Sequence, residues 1–258
     1  MLPSERRKNI IDLLVIKDVV TIPELMTQFK ISIETVRRDL TILEKQGAIQ
    51  KVYGGAKIKD SSFSEPTMEN RMVNRLLQKE AIGKKCCEFI NDGDCIFIDS
   101  GSTTYHIAKH LTNKKNLTII TNSIPVVNEL INTDFEMIII GGKLRHDERS
   151  IVTYDYIFNF SQLNIQKSFI CVGGITVENG VSDFNMQEAV TRKIIIGRSK
   201  EVFVAADSSK FDRDVTISIA GLDKINYIIT DSYLHKNAVN SFKKTATKLI
   251  LAGELETM

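Results

Sequence analysis

Apolar residues recur at helical spacing in three successive segments near the start of the chain, and each segment is predicted to be a helix. The first has its apolar positions at Ile10, Ile11 and Leu14, can be capped by Ser4, and is expected to end near Asp18. The second follows a capping-box pattern in which proline stands in the first turn. That pattern is Thr21-Ile22-Pro23-Glu24, and the apolar positions are Ile22, Leu25, Met26 and Phe29.

The third helix is predicted to begin after Ser32, which can cap it, and to end at Gly47. One side of it is apolar, with Ile33, Val36, Leu40 and Leu43. The opposite and flanking positions are polar: Glu34, Thr35, Arg37, Arg38, Thr41 and Lys45. This division suits a recognition helix in the major groove of DNA, although ordinary amphipathic surface helices share it.

A hairpin is predicted behind the third helix. The segment from Ala48 to Ile58 has the pattern of two short strands around a Gly-Gly turn. Three helices and a hairpin make a winged helix-turn-helix domain, here assigned to residues 3–58 with the helix-turn-helix at about 20–39. Lys51, Tyr53 and Lys57 of the hairpin are expected to lie along the DNA backbone.

A polar stretch separates this domain from the rest of the chain. Residues 59–66 break the apolar pattern, and the linker is assigned to residues 59–74, with a sensor domain at 75–258. A long helix is plausible from Thr67 to Ile90. Its candidate buried positions are Met68, Met72, Leu76, Ala81 and Ile82.

The second domain alternates short apolar runs with helical patterns. Strands are predicted at Cys95–Asp99, Leu117–Thr121, Glu136–Ile140, Lys167–Val172, Val202–Ala206 and Tyr227–Thr230. Helices are predicted around Thr103–Leu111, Ile124–Ile131 and Met186–Gly197. Continuous apolar strands separated by helices indicate a Rossmann-like, mostly parallel α/β sheet, in which ligands bind at the carboxyl ends of the strands.

Polar or glycine-rich segments stand at five of those strand ends. The first is Asp99-Ser100-Gly101-Ser102-Thr103-Thr104, directly before a helix, which suits a phosphate. Helix capping by Ser102 or Thr103 is the simpler alternative, and the loop has neither a Walker A nor a dinucleotide-binding pattern. The other four could be turns by themselves or could line one cleft together. They are Thr121-Asn122-Ser123, Gly141-Gly142-Lys143 followed by Arg145, Gly173-Gly174, and Asp207-Ser208-Ser209-Lys210.

The charge of the chain is uneven. The net charge of the 258 residues is +2, yet residues 1–59 hold 11 Lys or Arg against 7 Asp or Glu, which weakly favours a polyanion as partner of the first domain. We expect a cytoplasmic protein, since no apolar run approaches a membrane span and the N-terminus lacks the pattern of a signal peptide.

The cysteines and histidines do not predict a metal site. The cysteines Cys86, Cys87, Cys95 and Cys171 lack the spacing of metal ligands and are expected to be reduced and mostly buried. His106 and His110 could share a helix face, but no third ligand is evident. No metal and no cofactor are predicted.

The chain resembles the DeoR family of bacterial transcriptional regulators over nearly its whole length. Arg7, Ile11 and Val15 stand at the family's spacing before the helix-turn-helix, and S-x-x-T-V-R-R-D-L from Ser32 to Leu40 follows. Further family-like segments occur in the expected order: D-S-G-S-T-T at 99–104, T-N-S at 121–123, the Gly-Gly-Lys segment at 141–143 and D-S-S-K at 207–210.

The resemblance implies a sequence-specific binder of operator DNA with a sensor domain like that of sugar-phosphate isomerases of the ribose-5-phosphate isomerase type. It points to Ser32, Thr35, Arg37 and Arg38 as DNA contacts, while Asp39 is expected to orient an arginine. Asp99, Gly101, Ser102, Thr103 and Thr104 would hold a phosphorylated sugar or polyol. Secondary candidates are Asn122, Lys143, Arg145, Asp207 and Lys210.

These observations favour a repressor of a sugar-utilisation operon, acting as a dimer or tetramer and induced by its ligand. An activator and an effector-free DNA binder remain alternatives at this stage. An isomerase that uses Glu188, Asp207 and Lys210 is a weaker one.

Overall fold

The chain folds into two compact units, Met1–Phe63 and Ser64–Met258. The computed structural model describes residues 2–17, 19–45, 48–58, 66–153 and 158–253. The helix ends predicted at Asp18 and Gly47, and residues 59–65 of the predicted linker, lie outside these residues.

The first unit is a three-helix domain with a small antiparallel sheet. Its elements are α1 (Pro3–Lys17), β1 (Val19–Thr21), α2 (Ile22–Phe29), α3 (Ile33–Lys45), β2 (Ile49–Val52) and β3 (Gly55–Ile58). The three predicted helices and the hairpin are present, and their buried residues include Leu14, Leu25, Val36, Leu40 and Ile49. The winged helix-turn-helix fold is thereby confirmed.

Three local details of this unit differ from the sequence predictions. α1 begins at Pro3, so that Ser4 lies inside its first turn instead of capping it. A third strand, β1, pairs with β3. The tip of the hairpin is Tyr53-Gly54, and Gly55 already belongs to β3, where a Cβ atom would lie 2.3 Å from the carbonyl oxygen of Val20. Glycine is therefore required at position 55 for β1 to approach.

The second unit is built on a seven-stranded sheet. Its first elements are α4 (Met68–Val73), α5 (Leu76–Cys87), β4 (Cys95–Ile98), α6 (Tyr105–Lys109), β5 (Thr118–Thr121), α7 (Ile124–Leu130), β6 (Glu136–Ile139), β7 (Lys143–Arg145) and β8 (Ser150–Val152). The later ones are β9 (Ile165–Ile170), β10 (Gly174–Thr176), β11 (Gly180–Asp183), α8 (Met186–Arg198), β12 (Ser199–Ala205), β13 (Ile217–Ala220), β14 (Tyr227–Asp231), α9 (Lys236–Phe242) and β15 (Lys248–Ala252).

All pairings in the large sheet are parallel, and the strand order is β15-β14-β12-β9-β4-β5-β6. Successive residues of a strand point to opposite faces. Accordingly, Phe97 belongs to one buried cluster while Ile96 and Ile98 belong to the other. The six predicted strands all lie in this sheet, and the predicted mostly parallel α/β class is confirmed.

The prediction of one long helix from Thr67 to Ile90 is wrong. The segment forms α4 and α5, which are separated at Asn74 and Arg75, and Arg75 has a left-handed backbone with φ of +53°. Leu76, predicted to be buried, is 46% exposed as a result. α4, all of which lies within the stretch 59–74 that the sequence interpretation assigned to the linker, packs within the second unit, and Met68 is buried there.

Three sheet elements were not predicted: the edge strand β15, the hairpin β7–β8, and the antiparallel sheet β10-β11-β13. Their strands are only three to five residues long, and most are too short to show a clear period.

Candidate functional sites: an exposed recognition helix and a cationic cleft

The polar side of α3 faces solvent. Glu34, Arg37, Arg38 and Lys45 are exposed, whereas Thr35 and Thr41 are half-buried. The exposed Ser32 caps the helix, since the backbone N–H of Thr35 donates to its Oγ at 3.3 Å. The predicted division of α3 into a buried and a solvent-facing side is therefore present, and two guanidinium groups stand on the exposed side.

Asp39 fixes α3 against α1. It is 1% exposed and accepts hydrogen bonds from Arg6 Nε at 2.6 Å and from Arg7 Nη1 at 3.4 Å. The sequence predicted that Asp39 orients an arginine, and the structure supplies two from α1. The ion pairs hold α3 in place while its own arginines stay available to a partner.

The hairpin is tied to α3 by Lys51. Its Nζ donates to Thr41 Oγ1 at 2.8 Å and pairs with Glu44 Oε2 at 3.2 Å. Tyr53 at the tip is fully exposed, and Gly54 beside it has φ of +78°, a conformation that glycine adopts without strain. The tip thus presents an unobstructed aromatic side chain next to the recognition helix.

A cleft in the second unit lies at the carboxyl ends of the central strands. From β4 the chain proceeds to β5 and β6 on one side, while β9 and β12 lie on the other side. The junction of β4 and β9 is therefore the switch point at which open α/β sheets bind ligands. The cleft is lined by Arg71, Lys79, Gly101, Ser102, Thr103, Cys171, Val172, Ala205, Ala206 and Lys210.

The loop after β4 forms one wall of this cleft. Its backbone is folded by Thr104, whose Oγ1 lies 2.7 Å from the carbonyl oxygen of Asp99 and accepts the N–H of Gly101 at 3.0 Å. Gly101 touches the end of β9 so closely that a Cβ atom would lie 2.5 Å from Cys171 Sγ. The loop needs glycine at position 101 because the two strand ends meet there.

Positive charge concentrates in the same cleft. Burial is the largest cause that lowers the pKa of Lys79 to about 8, and neighbouring cations lower it further while Asp207 opposes them. The pKa of Lys210 is lowered as well, first by burial. Burial raises the pKa of the Asp207 carboxyl, but the charges of Lys210 and Lys79 outweigh it and hold that pKa below its usual value.

The cations of the cleft outnumber the carboxylates beside them. Arg71, Arg75, Lys79 and Lys210 face Asp207 and Glu148, which leaves an excess of two positive charges. Arg75 is joined to this group because its Nε lies 3.7 Å from Asp207 Oδ1 and its Nη1 donates to Ser208 Oγ at 3.3 Å. An excess of this size suits a phosphate monoester, which carries a charge of about −1.5 to −2 at pH 7.

A buried polar network lies beneath the loop. Glu188 of α8 is 2% exposed and accepts hydrogen bonds from Arg145 Nη1 at 2.8 Å and Ser150 Oγ at 2.6 Å, and from Ser100 Oγ at 3.3 Å. Asn122 donates to the same Ser100 Oγ at 3.2 Å. Its own Oδ1 is buried and has no hydrogen-bond partner within the described part of the chain.

Asp99 also belongs to the buried network. It is 0% exposed, and its Oδ2 accepts hydrogen bonds from Arg192 Nε at 2.6 Å and from the backbone N–H of Cys171 at 3.0 Å. Its Oδ1 accepts the N–H of Ser100 at 2.8 Å. Both oxygens are engaged by the protein, which favours a supporting role beneath the loop over direct contact with a ligand.

The predicted ligand residues therefore separate into groups. Gly101, Ser102, Thr103 and Lys210 line the cleft. Asp99, Ser100, Thr104, Asn122 and Asp207 are buried. Arg145 is bound to Glu188, and Lys143 is exposed on β7, away from the lining of the cleft.

Arg71, Arg75 and Lys79 were missed by sequence reasoning. They follow one another at intervals of four residues, a spacing that places side chains on one helix face and could have revealed a cationic stripe. The same segment also has apolar positions at helical spacing, and these alone entered the sequence prediction.

His106 has the surroundings of a packed core, whereas His110 is half-buried. His106 is 1% exposed, and burial lowers its pKa to about 4, so it is neutral at pH 7. No group of three or more His, Cys, Asp or Glu side chains placed to hold a metal ion occurs among the residues that the structure describes.

All four cysteines are free; Cys95 is half-buried and the others are buried. None of the described helices is long and apolar enough to cross a membrane.

Comparison with known proteins finds a family model that matches each unit of the chain. The model of the DeoR-like helix-turn-helix domain matches residues 6–62, and the model of the DeoR C-terminal sensor domain matches residues 74–232. The HTH-type transcriptional regulator IolR of Bacillus subtilis is 36% identical over 216 residues, which are 83% of this chain and 86% of that protein. The glycerol-3-phosphate regulon repressor of Escherichia coli is 33% identical over 236 residues, 90% of this chain and 92% of that protein.

Among solved structures, ribose 5-phosphate isomerase from Plasmodium falciparum aligns with a TM-score of 0.39 at 15% identity, covering 52% of each chain. A TM-score this low carries no argument about chemistry. The matched domains and the similar proteins are regulators, not enzymes, and a helix-turn-helix domain of this kind binds DNA. The chain belongs to the DeoR family of transcriptional regulators.

Proposed function

We propose that this regulator is a repressor of a sugar-utilisation operon, and that a phosphorylated sugar or polyol bound in the cleft releases it from operator DNA. The observation that supports this most is the cleft itself, where Arg71, Lys79 and Lys210 lie beside the loop at Gly101–Thr103. Together with Arg75, these cations exceed the neighbouring carboxylates by two positive charges. Burial is the largest cause of the lowered pKa values of Lys79 and Lys210, so water solvates these charges poorly and a bound anion would stabilise them.

The roles of the individual residues follow from their positions. Lys210, Lys79 and the Gly101–Thr103 loop would hold the phosphate group. The Oδ1 of Asn122, which has no hydrogen-bond partner among the described residues, would accept a hydrogen bond from a hydroxyl of the ligand, with Ser100 beside it. The supporting residues Asp99 and Asp207 would keep the loop and the lysine side chain in place.

The DNA-binding roles are assigned in the same way. Arg37, Arg38 and Lys45 would contact DNA from α3, with Ser32, Glu34, Thr35 and Thr41 on the same helix face or beside it. Lys51 and Tyr53 would lie along the backbone. Two copies of the chain would present paired helices to half-sites one helical turn apart, about 34 Å, or a multiple of that distance, which requires a dimer or tetramer.

Induction requires that the ligand bind one conformation of the protein better than the other. An operator fragment recovered from genomic DNA would be titrated with the protein in a mobility-shift experiment, with and without a panel of phosphorylated sugars and polyols. Glycerol 3-phosphate belongs in the panel because it gives its name to the regulon of the Escherichia coli relative. We expect one phosphorylated compound to weaken operator binding and its unphosphorylated counterpart to have no effect.

A thermal-shift measurement identifies the ligand independently of DNA. A ligand at 100 times its dissociation constant stabilises the folded protein by about 2.7 kcal/mol, which shifts the melting temperature measurably. Induction by sugar phosphate is refuted if the whole panel leaves operator affinity unchanged.

A further inference from the structure

Arg71 belongs to two sites at once. It lines the cationic cleft, and its Nη2 also forms an ion pair with Oε2 of Glu148. Glu148 lies in the turn between β7 and β8, and its side chain is 5% exposed, so that water screens the pair weakly. A phosphate group in the cleft would compete with this carboxylate for the same guanidinium.

The ion pair joins α4 to the turn at 146–149. A second contact accompanies it, because the backbone N–H of Met68 donates to the carbonyl oxygen of Asp147 at 3.2 Å. Two points of α4, its first residue Met68 and Arg71 in its middle, are thus attached to the hairpin turn at 146–149. If Arg71 leaves Glu148, the ion pair of this attachment is lost, while the hydrogen bond of the Met68 amide can persist.

The end of α4 is attached to the cleft instead. Lys79 Nζ donates to the carbonyl oxygen of Asn74 at 2.7 Å and to that of Arg71. Lys79 also lines the cleft. An anion drawn to Lys79 therefore acts on the helix that carries Arg71.

The backbone beside each partner is strained. Arg75, directly after α4, has φ of +53°, and Arg149, directly after Glu148, has φ of +50°. A left-handed conformation costs a non-glycine residue about 1–2 kcal/mol, so local contacts must hold both segments in place. The backbone conformation of a segment held in this way can change when one of those contacts is lost.

We propose that Glu148 is a positioning residue of the ligand site: it holds Arg71 while the cleft is empty and yields Arg71 to the phosphate group when ligand binds. The exchange detaches α4 from the turn at 146–149. This inference rests on the proposed function of the cleft. α4 is the first described helix after the DNA-binding unit, so the exchange changes the anchoring of the segment into which the linker runs.

The first test measures the affinity of the full-length protein for inorganic phosphate by calorimetry at constant ionic strength. Glu148→Gln removes the competing charge and keeps the shape of the side chain. We expect it to bind phosphate at least threefold more tightly than the wild type. Glu178→Gln is the matched control, since Glu178 is exposed on the turn between β10 and β11 and loses the same charge. Equal affinities of the two variants overturn the proposal.

The second test uses the wild-type protein, so its result does not depend on whether a variant folds. Hydrogen exchange of the Met68 amide is followed with and without saturating phosphate. The proposal expects at least threefold faster exchange with phosphate, because the attachment to the turn is weakened. Unchanged or slower exchange contradicts it.

Failure of this inference is distinguishable from failure of the proposed site. If phosphate binds the wild type, and Lys210→Met abolishes that binding while Glu148→Gln behaves like its control, the site stands and the exchange of Arg71 is wrong. If phosphate binds Glu148→Gln but not the wild type, the competition is supported directly. If phosphate binds neither protein, both the proposed anion site and the proposed exchange of Arg71 are refuted.

Discussion

Arg192 Nε of α8 donates to Asp99 Oδ2 at 2.6 Å, and both side chains are at most 3% exposed. The same guanidinium donates from Nη1 to Asp183 Oδ2 at 2.6 Å. One buried cation thus pairs with two buried carboxylates from separate strand ends, and it fixes the loop after β4 from below. The geometry of the loop depends on this cation and not on residues of the loop alone.

We therefore expect Asp99→Ala to act mainly on stability. Removing one partner of a buried ion pair leaves the other charge partly uncompensated, which costs about 3–5 kcal/mol. Urea unfolding followed by tyrosine fluorescence measures this, because five of the six tyrosines lie in the second unit. The double variant Asp99→Ala, Arg192→Met should lose less than the sum of the single variants, and strict additivity would contradict a direct pairing.

Arg38→Ala is expected to weaken operator binding by about 1–3 kcal/mol if the guanidinium makes a bidentate contact with a base. Arg38 is exposed on α3, and no change in folding is expected. Mobility-shift titrations at several salt concentrations separate the possibilities. A base contact lowers affinity for the operator selectively, whereas a phosphate contact lowers affinity for any sequence and reduces the salt slope by about 1. Lys84→Ala, an exposed change in the second unit, is the control.

Asp39→Ala should weaken DNA binding without any contact between Asp39 and DNA. The variant removes the acceptor of Arg6 and Arg7 and releases α3 from α1. Because these arginines are partly exposed and can regain water, we expect a loss of about 1–3 kcal/mol in stability of the first unit. Scanning calorimetry of the full chain would show the lower transition. A variant of full stability and full DNA affinity would refute the positioning role of Asp39.

Lys210→Met should abolish the response to a phosphorylated ligand and leave operator affinity unchanged. Lys210 lines the cleft and is half-buried, so the isolated loss of its charge removes a phosphate contact with little change in packing. Lys200→Met is the matched control, since Lys200 is exposed at the start of β12, the strand whose far end leads to Lys210. We expect at least a tenfold loss of ligand affinity for the first variant and none for the control.

Ligand affinity should fall as the pH rises above about 8. The charged form of Lys79 attracts the phosphate group, and its pKa in the free protein is about 8, so that deprotonation above this pH removes a positive charge from the cleft. The ligand itself becomes a dianion above about pH 6. Affinity is therefore expected to rise as the pH increases through about 6 and to decline above about pH 8. Calorimetric titrations at intervals of about one pH unit, from about pH 5.5 to about pH 9.5, would measure both changes.

Lys79→Arg tests whether this decline belongs to Lys79. A guanidinium stays protonated throughout the range, so that the decline above pH 8 should disappear in the variant. The depressed pKa of Lys79 also has a consequence for stability. Between the folded value of about 8 and the unfolded value of about 10.4, the unfolded chain binds more protons, so the contribution of this group to stability rises with pH there. Wild-type and variant unfolding curves should diverge in that direction.

The sequence by itself determined the first unit almost completely. The apolar positions of three helices, the capping box at Thr21–Glu24 and the cap at Ser32 are local signals, and each acts within one or two helical turns. The polar side of α3 was equally visible, because the side opposite a buried stripe is exposed by geometry. The strand β1 was not predicted, because its three residues pair with a segment more than 30 positions away.

In the second unit the sequence determined the parallel sheet and the loops at its strand ends, because apolar runs and glycine-rich exits are also local patterns. Only the tertiary structure decided which exits meet. It brought Gly101, Thr103 and Lys210 to one cleft, left Lys143 outside, and placed Asp99 on Arg192, which is 93 residues away. It also broke the predicted helix at Arg75, where long-range bonds to Asp207 and Ser208 outweigh the local helical preference. The spacing of Arg71 and Lys79 is a local signal, but only the fold brings these two cations to Lys210, which lies far along the chain.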